Sequence, residues 1–324
     1  VNSTLTWQEK PDREKAVNTI SDMLTANGFS EIMCNSLNPA AFYENDDFNR
    51  EELVMLANPL SSDLNAMRQS LLYGGLSSVS RNINRQNPDI RFYEFGYCYF
   101  LRKSEKSFPG VDNYTETRSL DLFLSGNTGP QRWNHKTNPT GFFNIKAYVE
   151  MILTRAGIDP ASLAAGESDK KYFSESVTWL ANRKLLAETG RISKPYLDRF
   201  DIGQDVYYAH IEWDMLMTLI SGHKISFTEL PKYPWVRRDL ALLIDKNIKF
   251  SQIREIAFRT EKHILREADL FDVYESDSLG VNKKSYAVSF KLRDDLRTLT
   301  DKVIDKTMNS LVAAFEKELG AKIR

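Results

Sequence analysis

Asp239-Leu240-Ala241-Leu242-Leu243-Ile244-Asp245 is a short apolar run closed at both ends by a carboxylate, and it reads as a β-strand. Downstream, Ser251–Ile264 has the spacing of an amphipathic helix, Leu270–Tyr274 reads as a second strand, and Gly280-Val281-Asn282 makes the turn into a third, Ser285–Leu292. Thr300-Asp301 then caps a long helix with an apolar stripe of Val303, Ile304, Met308, Leu311, Val312 and Phe315, and Gly320 ends it before a short terminal strand. The order β-α-β-β-α-β is the ferredoxin-like split. It occupies about 95 residues, enough for a domain of its own. We place its start after Ser221-Gly222, ahead of the Pro231–Pro234 stretch, and divide the chain into residues 1–225 and 226–324.

Upstream the pattern is different. Ala16, Ile20, Met23 and Leu24 recur at helical spacing between Asp12 and Ala26, with Gly28 placed to end the helix. Phe29–Leu37 and Leu53–Leu56 read as strands, the second broken by Asn58-Pro59. Ser61-Ser62-Asp63 is an N-cap cluster before a helix carrying Leu71, Leu72, Leu76 and Val79 on one side and ending near Asn84. Arg91–Arg102 is dense in aromatic residues and predicts a central strand. A loop at Lys103–Asp112 precedes another strand at Leu120–Leu124. Phe142–Ala156 predicts a helix burying Phe143, Ala147, Tyr148, Met151 and Ile152. Val177–Leu180 and Leu185–Glu188 flank a hairpin-like Asn182-Arg183 pair, and Tyr207–Trp213 forms one more strand. Strands of this kind with interspersed helices lack strict βαβ alternation and predict an α+β architecture with a mostly antiparallel sheet.

With 324 residues, 42% of them hydrophobic and 27% charged, the composition is that of a globular protein with room for two domains. The first residue is Val1 and no basic or apolar leader comes after it, so we expect a piece of a longer chain without a signal peptide. No apolar run approaches the roughly 20 residues of a membrane-spanning helix, which predicts a soluble, cytoplasmic protein. Cys34 and Cys98 are far apart, and we expect two buried free thiols. The four histidines have no ligand spacing, Glu44-Asn45-Asp46-Asp47 reads as a solvated turn, and we assign no metal. Net charge is −1, yet residues 229–324 hold 19 Lys+Arg against 16 Asp+Glu while the first 228 hold 24 against 28. That difference leans toward nucleic-acid contact in the C-terminal part without establishing it.

Several runs resemble one family, the β subunit of bacterial phenylalanyl-tRNA synthetase, in its C-terminal portion. In the C-terminal part they are Phe227-Thr228-Glu229-Leu230-Pro231-Lys232-Tyr233-Pro234, Val236-Arg237-Arg238-Asp239-Leu240-Ala241, Leu270-Phe271-Asp272-Val273-Tyr274, Lys283-Lys284-Ser285-Tyr286-Ala287 and Arg297-Thr298-Leu299-Thr300-Asp301. In the first part they are Asn58-Pro59-Leu60-Ser61, Met67-Arg68-Gln69-Ser70-Leu71-Leu72, Phe92-Tyr93-Glu94-Phe95-Gly96 and Phe142-Phe143-Asn144-Ile145-Lys146, with Tyr73-Gly74 where the family more often has a proline before glycine. The resemblance implies a catalytically inactive class II synthetase-like module in residues 1–225. It implies a ferredoxin-like anticodon-binding domain in residues 226–324. It also implies a catalytic α-subunit partner in an (αβ)2 heterotetramer, tRNA(Phe) as ligand, and ATP and Mg²⁺ used by the whole enzyme and not bound by this chain.

Adenylate chemistry in class II enzymes needs arginines held against a phosphate, and no Gly-x-Gly-x-x-Arg segment occurs here. Gly-x-Ser-x-Gly, Gly-x-x-x-x-Gly-Lys-Ser/Thr and Gly-x-Gly-x-x-Gly are missing as well, so we expect no catalytic residue. Arg68 and Glu94, polar residues in apolar segments, read as partners inside the fold or at a subunit boundary.

Single-stranded RNA is read by stacking splayed bases on aromatic or guanidinium planes and bonding their edges. Alternation along a strand puts Asp272 and Tyr274 on one face, with Phe271 and Val273 turned to the core. A carboxylate suits the N1 and N2 donors of guanine, the first anticodon base, and a tyrosine ring suits stacking. The resemblance implies these roles, with Ser285 near the base. Arg237, Arg238, Lys283, Lys284 and Arg297 are the candidate phosphate contacts, although Arg238 can equally pair with Asp239. Two other readings stand beside this one: a freestanding RNA-binding protein whose synthetase-like module serves dimerisation, and a small-molecule regulatory domain of the same topology.

Overall fold

The computed structural model describes residues 12–44, 47–102, 110–134, 136–221, 229–276, 279–280 and 282–324. Residues 1–11, Asn45 and Asp46, most of the Lys103–Asp112 loop, His135, His223, Val281 and the stretch containing the 225/226 division lie outside the described residues. Contacts divide the chain into two compact units, Val1–Ile225 and Ser226–Arg324.

The N-terminal unit begins with α1 (Arg13–Ala26), whose first turn is capped by the Asp12 carboxylate accepting from the Lys15 amide at 3.1 Å. Gly28 comes next at φ +83°, the left-handed conformation that ends helices. After it lie β1 (Ser30–Glu31), β2 (Leu37–Asn38), β3 (Ala66–Met67), α2 (Leu72–Ile83), β4 (Ile90–Leu101), β5 (Tyr114–Ser125) and α3 (Phe142–Arg155). The unit finishes with β6 (Ala164–Gly166), β7 (Phe173–Ala181), β8 (Lys184–Ile192), α4 (Lys194–Asp198), β9 (Val206–Glu212) and α5 (Trp213–Ser221). Seven of the strands form one sheet in the order β1-β4-β5-β9-β8-β7-β6, antiparallel throughout except where β1 pairs parallel to β4. One face packs on α1, α3 and α5 through Leu24, Ile145, Val149, Ile152, Trp213 and Leu216. The other packs on α2 and an aromatic cluster that includes Tyr43, Tyr73, Tyr172 and Tyr208.

Several sequence expectations change here. Phe29–Leu37 is extended only at its ends, because side chains take the middle: the Cys34 amide donates to Glu94 Oε1 at 3.2 Å and its carbonyl accepts from Arg68 at 3.2 Å. Leu53–Leu56 makes a single bridge, Met55 to Ala66, rather than a strand. Ser61-Ser62-Asp63 leads into a 3-10 turn at Ser62–Leu64 and no helix. The α2 helix starts eight residues later, with the Ser70 hydroxyl accepting from the Leu72 amide at 3.1 Å. The buried stripe of α3 is Ile145, Val149, Ile152 and Leu153, while Phe143 is 80% exposed. Trp213 opens α5 instead of ending a strand; the short apolar run Met215–Ile220 carries no period that separates helix from strand. The Asn182-Arg183 hairpin is present, with φ of 51° and 64° as a two-residue turn of the I′ kind demands.

The C-terminal unit contains β10 (Val236–Asp245), α6 (Phe250–Thr260), β11 (Leu265–Tyr274), β12 (Lys283–Leu292), α7 (Asp301–Leu319) and β13 (Lys322–Ile323). The strand order β11-β12-β10-β13, all antiparallel, is the ferredoxin-like arrangement. Both helices bury one face of this sheet through Ile253, Ile256, Ile304, Leu311 and Phe315 against Leu242, Val288 and Phe290. No described helix is long and apolar enough to cross a membrane.

Candidate nucleic-acid interface

On β12, Tyr286, Val288, Phe290 and Leu292 point into the helix-covered core, so Lys283, Ser285, Ala287, Ser289 and Lys291 point to the opposite, open face. Directly paired residues share a face. The register therefore lays out that face in rows: Arg237, Lys291 and Glu267; Asp239, Ser289 and Asp269; Ala241, Ala287 and Asp272; Leu243, Ser285 and Tyr274; and Asp245 with Lys283. Asp272, Tyr274 and Ser285 thus come together, Tyr274 half exposed and Ser285 buried in the floor.

Phe271 does not go to the core, and Val273, which shares the helix side with its partner Tyr286, stays 49% exposed. The ladder slips at Phe271, since Leu270 pairs with Val288 and Asp272 with the next residue, Ala287. A bulge of this kind leaves one residue unpaired and re-aims it, on an edge strand of the sheet. Phe271 ends 53% exposed on the open face, where the Arg237 guanidinium carbon lies 5.2 Å from its ring centroid. Tyr274 has a similar companion in Arg324, at 5.5 Å. Neither Phe271 nor Arg324 was singled out from sequence, because a bulge leaves no mark in hydrophobic alternation.

The candidate phosphate contacts scatter. Arg237 is on the open face, its Nε donating to Asp239 Oδ1 at 2.8 Å, and that bond raises its pKa further. Lys283 is there too, 2.8 Å from Asp245. Arg238 pairs across the sheet with Phe290, which puts it on the helix side, 3.9 Å from Asp301 and not on Asp239. Lys284 is buried on the helix side, where its Nζ donates to the Tyr286 hydroxyl at 2.7 Å, so it does not join the others. Arg297 stands in the loop after β12, 3.1 Å from Asp294. On the same face Lys291 bonds Glu267 at 2.6 Å. Asp269 is pushed up by its hydrogen bond with Glu267 and by burial, while Glu267 is held down by Asp269 and Lys291. A phosphate approaching this face meets cations that already hold carboxylates.

The N-terminal sheet carries a second polar assembly. Glu94, Asp121, His210, Glu188 and Thr178 form one cross-strand row from β4 to β7. Arg68 bonds Glu94 at 2.7 Å, with 6% and 1% of the two side chains exposed, which places this pair inside the fold. His210 bridges Asp121 at 2.8 Å and Glu212 at 3.2 Å, and Tyr208 donates to Asp121. Glu188 accepts from Tyr172 and from Ser168 at 2.8 Å. Burial raises the tyrosine pKa values, and the adjacent carboxylates add to it. Apart from Glu94 Oε2, which has no partner, these groups bond one another, and the row acts as an internal tie between strands. Among the described residues no cluster of His, Cys, Asp and Glu is arranged to hold a metal.

A module built on a mostly antiparallel seven-stranded sheet, followed by a ferredoxin-like domain bearing an open polar and aromatic face, defines a two-domain α+β protein. Residues 2–213 match the family model for the phenylalanyl tRNA synthetase beta chain CLM domain, and residues 231–324 match the ferredoxin-fold anticodon binding domain. The chain belongs to the phenylalanyl-tRNA synthetase β chain family. It is 44% identical over its whole length to the phenylalanine–tRNA ligase beta subunit of Bacteroides thetaiotaomicron and 38% identical to that of Porphyromonas gingivalis. In each case it spans 40% of the relative's length. The crystal structure of pyrrolysyl-tRNA synthetase from Desulfitobacterium hafniense overlaps 66% of this chain and 71% of its own at a TM-score of 0.48 and 15% identity, too partial to carry an assignment.

Proposed function

We propose that this chain is the part of a phenylalanine–tRNA ligase β subunit that holds tRNA(Phe) by its anticodon, through the open face of the C-terminal sheet. The observation that carries the reading is the convergence of Asp272, Tyr274 and Ser285 on one uncovered face of an anticodon-binding fold. Asp272 accepts from the N1 and N2 donors of the first anticodon guanine, Tyr274 stacks on that base, and Ser285 lines the floor beneath it. Lys283 and Arg297 remain as phosphate contacts, each exchanging its carboxylate for RNA.

The N-terminal module packs against the catalytic α subunit in an (αβ)2 assembly in the cytoplasm. ATP and Mg²⁺ serve the aminoacylation carried out on that partner. The absence of a Gly-x-Gly-x-x-Arg segment and the mutual pairing of Arg68 with Glu94 and of His210 with Asp121 favour a module without chemistry of its own. A stem-loop binding assay tests the reading. The chain should prefer the phenylalanine anticodon loop over one whose first anticodon guanine is replaced, by about 1–3 kcal/mol. Asp272→Ala should abolish the preference while leaving the salt slope intact. Equal binding of both loops by the assembled ligase would overturn the assignment.

A further inference from the structure

The bulge in β11 puts two aromatic rings on the open face where strict alternation would put one. Phe271 and Tyr274 are three residues apart along one strand, about 10 Å at ~3.3 Å per residue. That is well beyond the roughly 3.4 Å of a stacked base step, so the rings suit two bases pulled apart rather than a stacked pair. Each ring carries a guanidinium, Arg237 over Phe271 at 5.2 Å and Arg324 over Tyr274 at 5.5 Å. Between them the floor is made of small side chains, Ala241, Ala287, Ser285 and Ser289. Ser285 and Ser289 are only 6% and 5% exposed, although both helices of this unit pack on the other side of the sheet.

Arg237 is the informative residue. Its Nε is tied to Asp239, and its own strand register places it beside Lys291, yet its head group lies over Phe271 two strands away. An arginine awaiting a phosphate has no need of an aromatic ring or of a carboxylate to hold its plane. A planar cation set over an aromatic ring and braced by a carboxylate is instead a surface on which a base can lie.

We propose that Phe271 and Arg237 form a second nucleobase-stacking platform beside Tyr274, which takes up the anticodon base next to the one on Tyr274. Asp239 acts as a positioning residue that holds the Arg237 plane. This rests on the reading that the open face binds the anticodon loop. It assigns Arg237 to stacking rather than to a phosphate.

The test uses ligase assembled from full-length subunits and a phenylalanine anticodon stem-loop carrying 2-aminopurine at either the first or the second anticodon position. Binding should quench the probe at both positions. Phe271→Leu, a substitution at a half-exposed site, should relieve quenching at the second position alone and weaken binding by about 5- to 150-fold, the range for loss of one base stack. Arg237→Lys should weaken binding similarly with an unchanged salt slope, since it keeps the charge and loses the plane. Quenching at the second position that survives Phe271→Leu would overturn the proposal while the anticodon reading stood. So would an Arg237→Lys enzyme that binds normally, or an Arg237→Ala enzyme whose salt slope falls by about 1, the mark of a lost phosphate contact. If the unmodified ligase binds the stem-loop no better than one of scrambled loop sequence, the anticodon reading and this inference fail together.

Discussion

Glu94 sits in the aromatic run of β4, 1% exposed, with Oε1 accepting from Arg68 and from the Cys34 amide and Oε2 without a partner. Arg68 is held in turn by the carbonyls of Tyr97 and Cys34. Removing one partner of such a pair leaves the other charge buried, so Glu94→Ala should lower unfolding free energy by about 3–5 kcal/mol in urea titrations. His210 makes a pH-dependent contribution. Burial by itself disfavours the imidazolium, but Asp121 and Glu212 reverse this and hold its pKa well above 6.5. A raised histidine lends stability that is complete below its ordinary value and is lost as pH rises through the raised one. Above about pH 6.5 the chain should therefore lose stability relative to His210→Gln, and urea midpoints across that range check it. Burial pushes the Cys34 thiol up to about 11 and Cys98 further. Both should resist a thiol-specific reagent at neutral pH until the protein is unfolded.

At the scale of the element, α3 separates apolar composition from burial. The stripe expected from its sequence ran through Phe143, Ala147, Tyr148, Met151 and Ile152, but the sheet buries Ile145, Val149, Ile152 and Leu153 and leaves Phe143 in solvent. Ile152→Ala should cost about 2–5 kcal/mol, whereas Phe143→Ala should stay within about 0.5 kcal/mol; equal effects in thermal melts would contradict this packing. The β7–β8 hairpin holds Arg183 at a φ of 64°, where a Cβ is strained. Arg183→Gly should raise stability by about 1 kcal/mol, which the same melts would detect. In β11 a sequence rule held and then broke: alternation is sound from Glu267 to Leu270, and the unpaired Phe271 then changes the phase of Asp272, Val273 and Tyr274.

For the whole molecule, the C-terminal unit has its own apolar core, with α6 and α7 packed on four strands. Ser226–Arg324 produced alone should fold cooperatively and retain a preference for the first-position guanine loop, measured by stem-loop titration. A cut unit that melts without a transition would show that its core needs the rest of the chain. The N-terminal unit buries both faces of its long sheet.

The α+β class, the ferredoxin-like order of elements, the hairpin at Asn182-Arg183 and the face shared by Asp272 and Tyr274 were legible in the sequence alone. They depend on periods of two and 3.6 residues, on caps and on turn residues, all of which act within a few positions along the chain. What had to wait for the tertiary structure was every choice made by a distant partner. Arg68 and Glu94 interrupt the strand at Cys34, the sheet chooses between two faces of α3, and the core claims Lys284 while the open face keeps Lys283. The same holds for Phe271, whose exposure results from a slip in its pairing with β12. Local pattern specifies which conformations a segment can adopt, but pairing register and burial are settled by residues tens of positions away, and those decide which side chains reach solvent.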